Sequence, residues 1–195
     1  NRLTLWYIPS REQAGCQKNR GCNEQIICIR LLIDYAKKSR KKLFLLYIDY
    51  EKAYDKVPRV SLINELKRLG CGKKFLIILS MIYVNIVLVF QCASIYTSIG
   101  VRQGAATSCI LFIIYLDIMV RMINSVEDDG FLKSLHSLLL MDDTVLLATS
   151  RERLIEKFKI VQSFCKIYGM SLNKKKTTFM VIKNTNDDKA SIVSE

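Results

Sequence analysis

The 195-residue sequence predicts an α+β fold with an antiparallel sheet at its centre. Three observations carry that expectation. Half of the residues are apolar, enough for one domain with a sizeable core. Short apolar runs and helical periodicities alternate along the chain without a strict βαβ repeat. Finally, LHSLLLMDDTVLLA sets two apolar runs on either side of an aspartate pair, the pattern of a β-hairpin.

The elements follow in order. Ile26, Ile29, Ile33 and Ala36 recur at helical spacing and the basic run KKSRKK closes them, so a helix is expected from Cys22 to Lys38. LFLLYI, from Leu43 to Ile48, is a continuous apolar run, as in a strand covered on both faces. After Pro58 a short helix puts Leu62, Leu66 and Leu69 on one face, with Gly70 past its end. A second helix through Phe75 to Tyr83 leads into a strand, IVLVFQC. The whole stretch Phe75 to Phe90 contains Asn85 and falls short of the roughly 20 apolar residues of a bilayer span. It reads instead as a buried helix running into a buried strand, and no membrane partner is expected.

Ser108 to Ile123 reads as a largely buried helix. Arg151 to Tyr168 is amphipathic through Leu154, Ile155, Phe158, Val161 and Cys165. TTFMVI is the last strand, and the polar residues 184–195 are expected to form a frayed, disordered tail.

Thirty Lys and Arg against 18 Asp and Glu leave a formal charge of +12. Such an excess favours a polyanionic partner, because each cation near a phosphate releases condensed counterions. The seven cysteines form no C-x-x-C pair and there is one histidine, which excludes a zinc site of ordinary ligand spacing. Free thiols are the simplest account.

Two features resist explanation as packing. LFLLYID ends an apolar strand on Asp49, and Asp142 and Asp143 sit side by side between LLLM and TVLLA. Adjacent carboxylates bounded by apolar strands repel and are costly to desolvate, a penalty that a divalent cation such as Mg²⁺ converts into a binding site. Strand alternation sends the two to opposite faces unless a tight turn intervenes, so Asp142 is the surer ligand. The competing reading is a solvated hairpin turn, where Asp is common. In GVRQGAATS two glycines bracket Arg102 and Gln103, which lets backbone come close to a ligand while two donor side chains reach it.

Taken in order, these segments resemble the motifs of reverse transcriptases of the non-LTR retrotransposon type. LFLLYIDYEKAYDKV is similar to the segment with a strand-end Asp, an Ala-aromatic-Asp triplet and a following Val. GVRQGAATSCILF resembles the R-Q-G loop, LLLMDDTVLLA the x-x-D-D hairpin, GMSLNKKKTTFM the G-x-x-x-N-x-x-K-T segment, and REQAGC the upstream Q-x-G-F stretch.

The resemblance implies a right-hand polymerase palm with part of the fingers. Residues 1–183 would be a partial reverse transcriptase domain, with the edge of the fingers at about 1–42 and the palm at about 43–183. The remaining fingers, the thumb and an endonuclease domain are expected on a longer polyprotein. It implies RNA-directed DNA synthesis from deoxynucleoside triphosphates, an RNA template and a DNA primer, as in target-primed copying. Two Mg²⁺ ions, for which Mn²⁺ can substitute, would be held by Asp49, Asp142, Asp143 and the carbonyl of Tyr50.

Under the same resemblance, Tyr54 is the aromatic beneath the sugar that excludes a 2′-hydroxyl, although by itself it reads as a core tyrosine. Gln103 contacts nucleotide and template with Gly104 permitting close approach, Arg102 serves the same surface, and Lys176 lies near the triphosphate as a general acid. Asp55 reads as structural. The family further implies an intracellular, cytoplasmic and nuclear location.

The catalytic aspartates match the pattern while the shell around them departs from it. Ala106 and Cys109 stand where prolines are usual, Leu140 where an aromatic is, and Cys16 in place of the Phe of Q-x-G-F. A non-catalytic nucleic-acid-binding remnant is therefore the alternative from a different class. A viral RNA-dependent RNA polymerase shares the paired aspartates but needs a polar residue at Tyr54, and a group II intron maturase is a more distant match.

Overall fold

The computed structural model describes residues 6–84, 87–90, 93–102, 104–105, 107–126, 130–183 and 192–193. The chain runs through helix α1 (Cys22–Lys38), strand β1 (Leu43–Ile48), helices α2 (Arg59–Arg68) and α3 (Lys73–Val84), and strands β2 (Val87–Phe90) and β3 (Ala93–Tyr96). It continues with helix α4 (Ser108–Ile123), strands β4 (Ser137–Leu140) and β5 (Asp143–Ala148), helix α5 (Arg151–Tyr168), and strands β6 (Thr178–Ile182) and β7 (Ile192–Val193).

Five of the strands form one antiparallel sheet in the order β4-β5-β1-β6-β7. β1 lies at its centre, paired with β5 from Phe44↔Ala148 to Ile48↔Thr144 and with β6 from Leu43↔Ile182 to Tyr47↔Thr178. Its six apolar residues alternate between two cores, which is why the run is unbroken. Leu43 and Leu45 pack with Leu138, Leu147 and Ala36 on the α1 side, while Phe44, Leu46 and Ile48 pack with the cluster around α4. α4 is apolar apart from its ends and the paired Asp117 and Arg121, and is buried along nearly its whole length, with α2 and α5 beside it. The Ser150 hydroxyl caps α5 by accepting from the Arg153 amide at 3.2 Å, and Gly169, with φ 74°, ends it.

The predicted bounds of α1, β1, α4 and α5 match those observed. Three expectations need correction. Ile26 is 56% exposed, and Gln25 is buried in its place. Residues 12–14 lie beside β4, and the Gln25 side-chain amide donates to the carbonyls of Glu12 (3.0 Å) and Leu139 (3.1 Å), which an isoleucine cannot satisfy.

α3, expected to be buried, is buried only along Leu79 and Tyr83; Ile77, Ile78, Met81 and Ile82 are exposed. The apolar strand after it pairs with an unanticipated partner, β3, in a separate two-stranded sheet. In the tail, Ile192–Val193 pairs with β6, and the rest lies outside the described residues. α1 likewise exposes Ile27, Leu31 and Tyr35. No helix among the described residues is long and apolar enough to cross a membrane. Cys16, Cys22, Cys28, Cys71, Cys109 and Cys165 are free thiols, and Cys92 lies outside the described residues.

Because Leu45 is fully buried at the sheet centre, Leu45→Ala is expected to cost about 2–5 kcal/mol, measured as a lower urea midpoint. Ile8→Ala, at a side chain 85% exposed, is expected to change stability by less than about 0.5 kcal/mol.

Candidate active site

β1 carries its direction past the last sheet pair and delivers Asp49 to an open cleft of about 1190 Å³. Beyond Asp49, Tyr50 forms an isolated bridge with Leu172, in which the flanking residues make the hydrogen bonds. The Asn173 amide donates to the Asp49 carbonyl at 2.8 Å, and the Glu51 amide donates to the Ser171 carbonyl at 2.9 Å. Segment 171–177 is thereby pinned beside Asp49. The Asn173 side chain accepts from the Lys175 amide at 3.2 Å, and the Thr177 hydroxyl donates to the Asn173 carbonyl at 2.9 Å. The turn brings the Lys176 ammonium 4.0 Å from an Asp49 oxygen, in an exposed position where it is screened by solvent.

Asp142 reaches the same cleft from the β4–β5 turn. Leu140 pairs with Asp143, so Met141 and Asp142 form a two-residue loop. Met141 has φ 59° at the first loop position, where primed hairpin turns usually place glycine, a conformation costing about 1–3 kcal/mol. Burial raises the Asp142 pKa above the ordinary carboxylate value, against a backbone hydrogen bond that lowers it. The neighbouring charges of Asp143 and Asp49 raise it further.

The remaining sequence-predicted residues divide. Tyr54 lines the cleft and stacks on Phe112, with ring centroids 4.3 Å apart and planes 16° apart. Burial, then Cys109, pushes its phenol upward. Gly104, with φ 83°, also lines the cleft, with open space where a Cβ would stand. The Tyr50 ring is buried, its hydroxyl donating to Met119 Sδ at 3.1 Å, so only its backbone faces the cleft. Asp143 opens β5 exposed and off the cleft lining, and Arg102 is also exposed and off it. Gln103 and Ala106 lie outside the described residues. The backbone of Asp55 packs on Gly100, where a Cβ would meet the Asp55 carbonyl at 2.9 Å. Among the described residues no three acidic, Cys or His side chains converge to hold a metal ion.

Two features escaped the sequence reading. The departures Cys16 and Cys109 meet in space: their thiols share a hydrogen bond, and burial followed by that contact pushes Cys16 up to about 11. The other is Arg59, a buried guanidinium whose partners are carbonyls and a hydroxyl. It donates to the carbonyls of Gly100 (2.9 Å), Tyr83 (2.8 Å) and Ile99 (2.7 Å), to the Thr97 carbonyl, and to the Thr97 hydroxyl (2.9 Å). Its plane also lies over the Tyr83 ring at 5.5 Å. The Gly100 and Val101 amides donate to the carbonyls of Val57 and Tyr54, at 2.8 and 2.9 Å, so the glycine-bracketed loop is held from both sides. The only sequence signal was a basic residue just after Pro58.

A central strand ending on an aspartate, beside a hairpin turn that presents a second one, is the arrangement of a polymerase palm. The comparisons agree. The family model described as reverse transcriptase (RNA-dependent DNA polymerase) matches residues 1–192, and the chain belongs to that family.

The chain is 26% identical over 164 residues to the retrovirus-related Pol polyprotein from type-1 retrotransposable element R2 of Nasonia vitripennis. That match supports the non-LTR form expected from the motifs. It covers 80% of this chain and 16% of the relative. Among solved structures, telomerase from Candida tropicalis, in complex with a telomeric RNA fragment, is similar with a TM-score of 0.67 at 17% identity, over 93% of this chain and 31% of that one. Telomerase from Candida albicans gives 0.64 at 17% identity, over 98% and 32%. These likenesses establish the α+β palm fold.

A carboxylate with a raised folded-state pKa favours folding only while protonated, and that contribution is lost as pH rises through the folded value. Without divalent cations, Asp142→Asn is therefore expected to raise the urea midpoint at pH 7, and the gap to close below about pH 4, where both forms are neutral. Arg59→Met strips donors from several buried carbonyls and is expected to cost on the order of 3 kcal/mol, read in the same unfolding experiment.

Proposed function

We infer that the cleft is the catalytic centre of an RNA-directed DNA polymerase that adds deoxynucleotides to a primer 3′ end. The observation that carries this reading is the convergence of Asp49 and Asp142, from separate strands, on one open cleft, where burial and the neighbouring carboxylates make the Asp142 charge costly unless a cation offsets it. The residues fit a divalent metal. Mg²⁺ is commonly held by one or two carboxylates plus substrate phosphates, so two aspartates and no closed protein cage suit it.

Asp49 and Asp142 would be its side-chain ligands, with Asp143 at the rim. Tyr50 adds its carbonyl, because a bridge of this kind turns that group away from Leu172. When bound, two Mg²⁺ ions supply activation of the primer hydroxyl and neutralisation of the triphosphate. Mn²⁺ would serve in their place.

The protein's own groups position the reactants for in-line attack of the primer 3′-oxygen on the α-phosphorus, with pyrophosphate leaving. Lys176, exposed beside Asp49, faces the leaving phosphates and can give them a proton. Tyr54, fixed against Phe112, forms the floor under the sugar and leaves no room for a ribose 2′-hydroxyl. Gly104 lets the nucleotide approach the backbone, with Gln103 and Arg102 on the same loop as template contacts. The net charge of +12 suits an RNA template and DNA primer, and the telomerase neighbours were solved with RNA. In this reading the palm begins near residue 43, the fingers' edge precedes it, and the parent polyprotein copies its RNA by target priming.

Purified chain is expected to incorporate labelled dTTP on poly(rA) primed with oligo(dT), only with Mg²⁺ or Mn²⁺. Asp142→Ala is expected to lower incorporation about a hundredfold or more. Undiminished incorporation by that variant would overturn the assignment. Salt-sensitive RNA binding without incorporation would instead favour the inactive remnant.

A further inference from the structure

The turn that presents Asp142 is not self-supporting, and its support comes from far away in sequence. Gln13 is buried, and its side-chain amide grips Met141 from both sides. Its Oε1 accepts from the Met141 amide at 2.9 Å, and its Nε2 donates to the Met141 carbonyl at 3.1 Å. The same oxygen accepts from the Gly15 amide at 2.7 Å. Gly15 lies so close that a Cβ there would meet Met141 Sδ at 2.4 Å and the Met141 nitrogen at 2.8 Å.

Gln13 itself is anchored. It bridges to Leu139 in parallel, the Ala14 amide donates to the Leu139 carbonyl at 2.8 Å, and the Leu139 amide donates to the Glu12 carbonyl at 2.8 Å. Arg20 donates to the Gln13 carbonyl at 3.0 Å.

Met141 immediately precedes Asp142, and its left-handed φ sets where the next carboxylate points. A single amide reading both backbone groups of the strained residue fixes that direction. We propose that Gln13 is a positioning residue for the Asp142 carboxylate, acting through the Met141 backbone and needing glycine at position 15 to do so. This deepens the polymerase reading and rests on it for the identity of Asp142 as a metal ligand. The link also couples the segment before α1 to the catalytic turn: displacing Gln13 releases the turn without touching either aspartate.

The test compares the wild-type chain with Gln13→Met, which keeps side-chain length and loses the amide. Gln25→Met loosens the same docked segment and leaves Met141 alone. Hydrogen exchange of the Met141 amide, followed by NMR, reads the grip directly, and Mn²⁺ affinity by electron paramagnetic resonance reads the carboxylate.

Gln13→Met is expected to speed Met141 exchange and to weaken Mn²⁺ binding about tenfold, the usual scale for losing a partner that orients a metal ligand. Gln25→Met is expected to lower the melting temperature while Mn²⁺ affinity stays within about twofold. Should Gln13→Met fail to fold, Gln13→Asn carries the comparison, because it keeps a neutral amide and is one methylene too short to hold both Met141 groups. Wild-type exchange and affinity in the Gln13 variants overturn the proposal, as does an equal loss of affinity in Gln25→Met. If Asp142→Ala binds Mn²⁺ as tightly as wild type, the metal reading fails instead, and Met141 exchange alone decides the role of Gln13.

Discussion

Everything at the candidate site hangs on β1 being hydrogen-bonded on both edges and covered on both faces. A strand so confined has no freedom to slide, because a one-residue slip exchanges its two apolar faces. Its end is therefore a fixed point. Asp49 stands there, β5 brings the Asp142 turn to one side, and the segment before β6 brings Lys176 to the other. The candidate site is assembled from three distant stretches of sequence whose meeting is enforced by one strand.

That strand was legible because burial on both faces leaves an unmistakable composition, and α4 was legible for the same reason. Amphipathic α1 was located correctly, yet its buried face was misjudged at Ile26. Hydrophobic periodicity does not register that the backbone of residues 12–14 needs donors, which only Gln25 supplies. β3 was missed because ASIY is short and follows Gln91 and Cys92, which carry none of the usual hairpin-turn chemistry.

For the site, strand-end and turn positions could be read as chemistry because carboxylates are costly there, and Asp49, Asp142, Tyr54, Gly104 and Lys176 do line one cleft. Asp143 was harder to place from sequence: it begins a strand, and strand geometry carries it to the rim. Gln13 and Arg59 carried no readable role, because each acts on backbone groups far away in sequence. An arginine that satisfies distant carbonyls looks like any other polar residue until the fold is known, and the resemblance to Q-x-G-F marked Gln13 without saying what it holds. Even the departures at Cys16 and Cys109 looked independent in the sequence, although they are neighbours in the fold.

The apolar faces left bare on α1 and α3 set how copies of this chain treat one another in solution. Ile26, Ile27 and Leu31 on one helix and Ile77, Ile78, Met81 and Ile82 on the other are adhesive at short range. The charge of +12 repels at long range, over a distance that shrinks from about 30 Å at 0.01 M salt to about 8 Å at 0.15 M. Added salt thus removes the barrier while leaving the adhesion intact. The chain's colloidal behaviour is therefore expected to run opposite to that of a protein held together by surface ion pairs, dispersing as ionic strength falls and clustering as it rises.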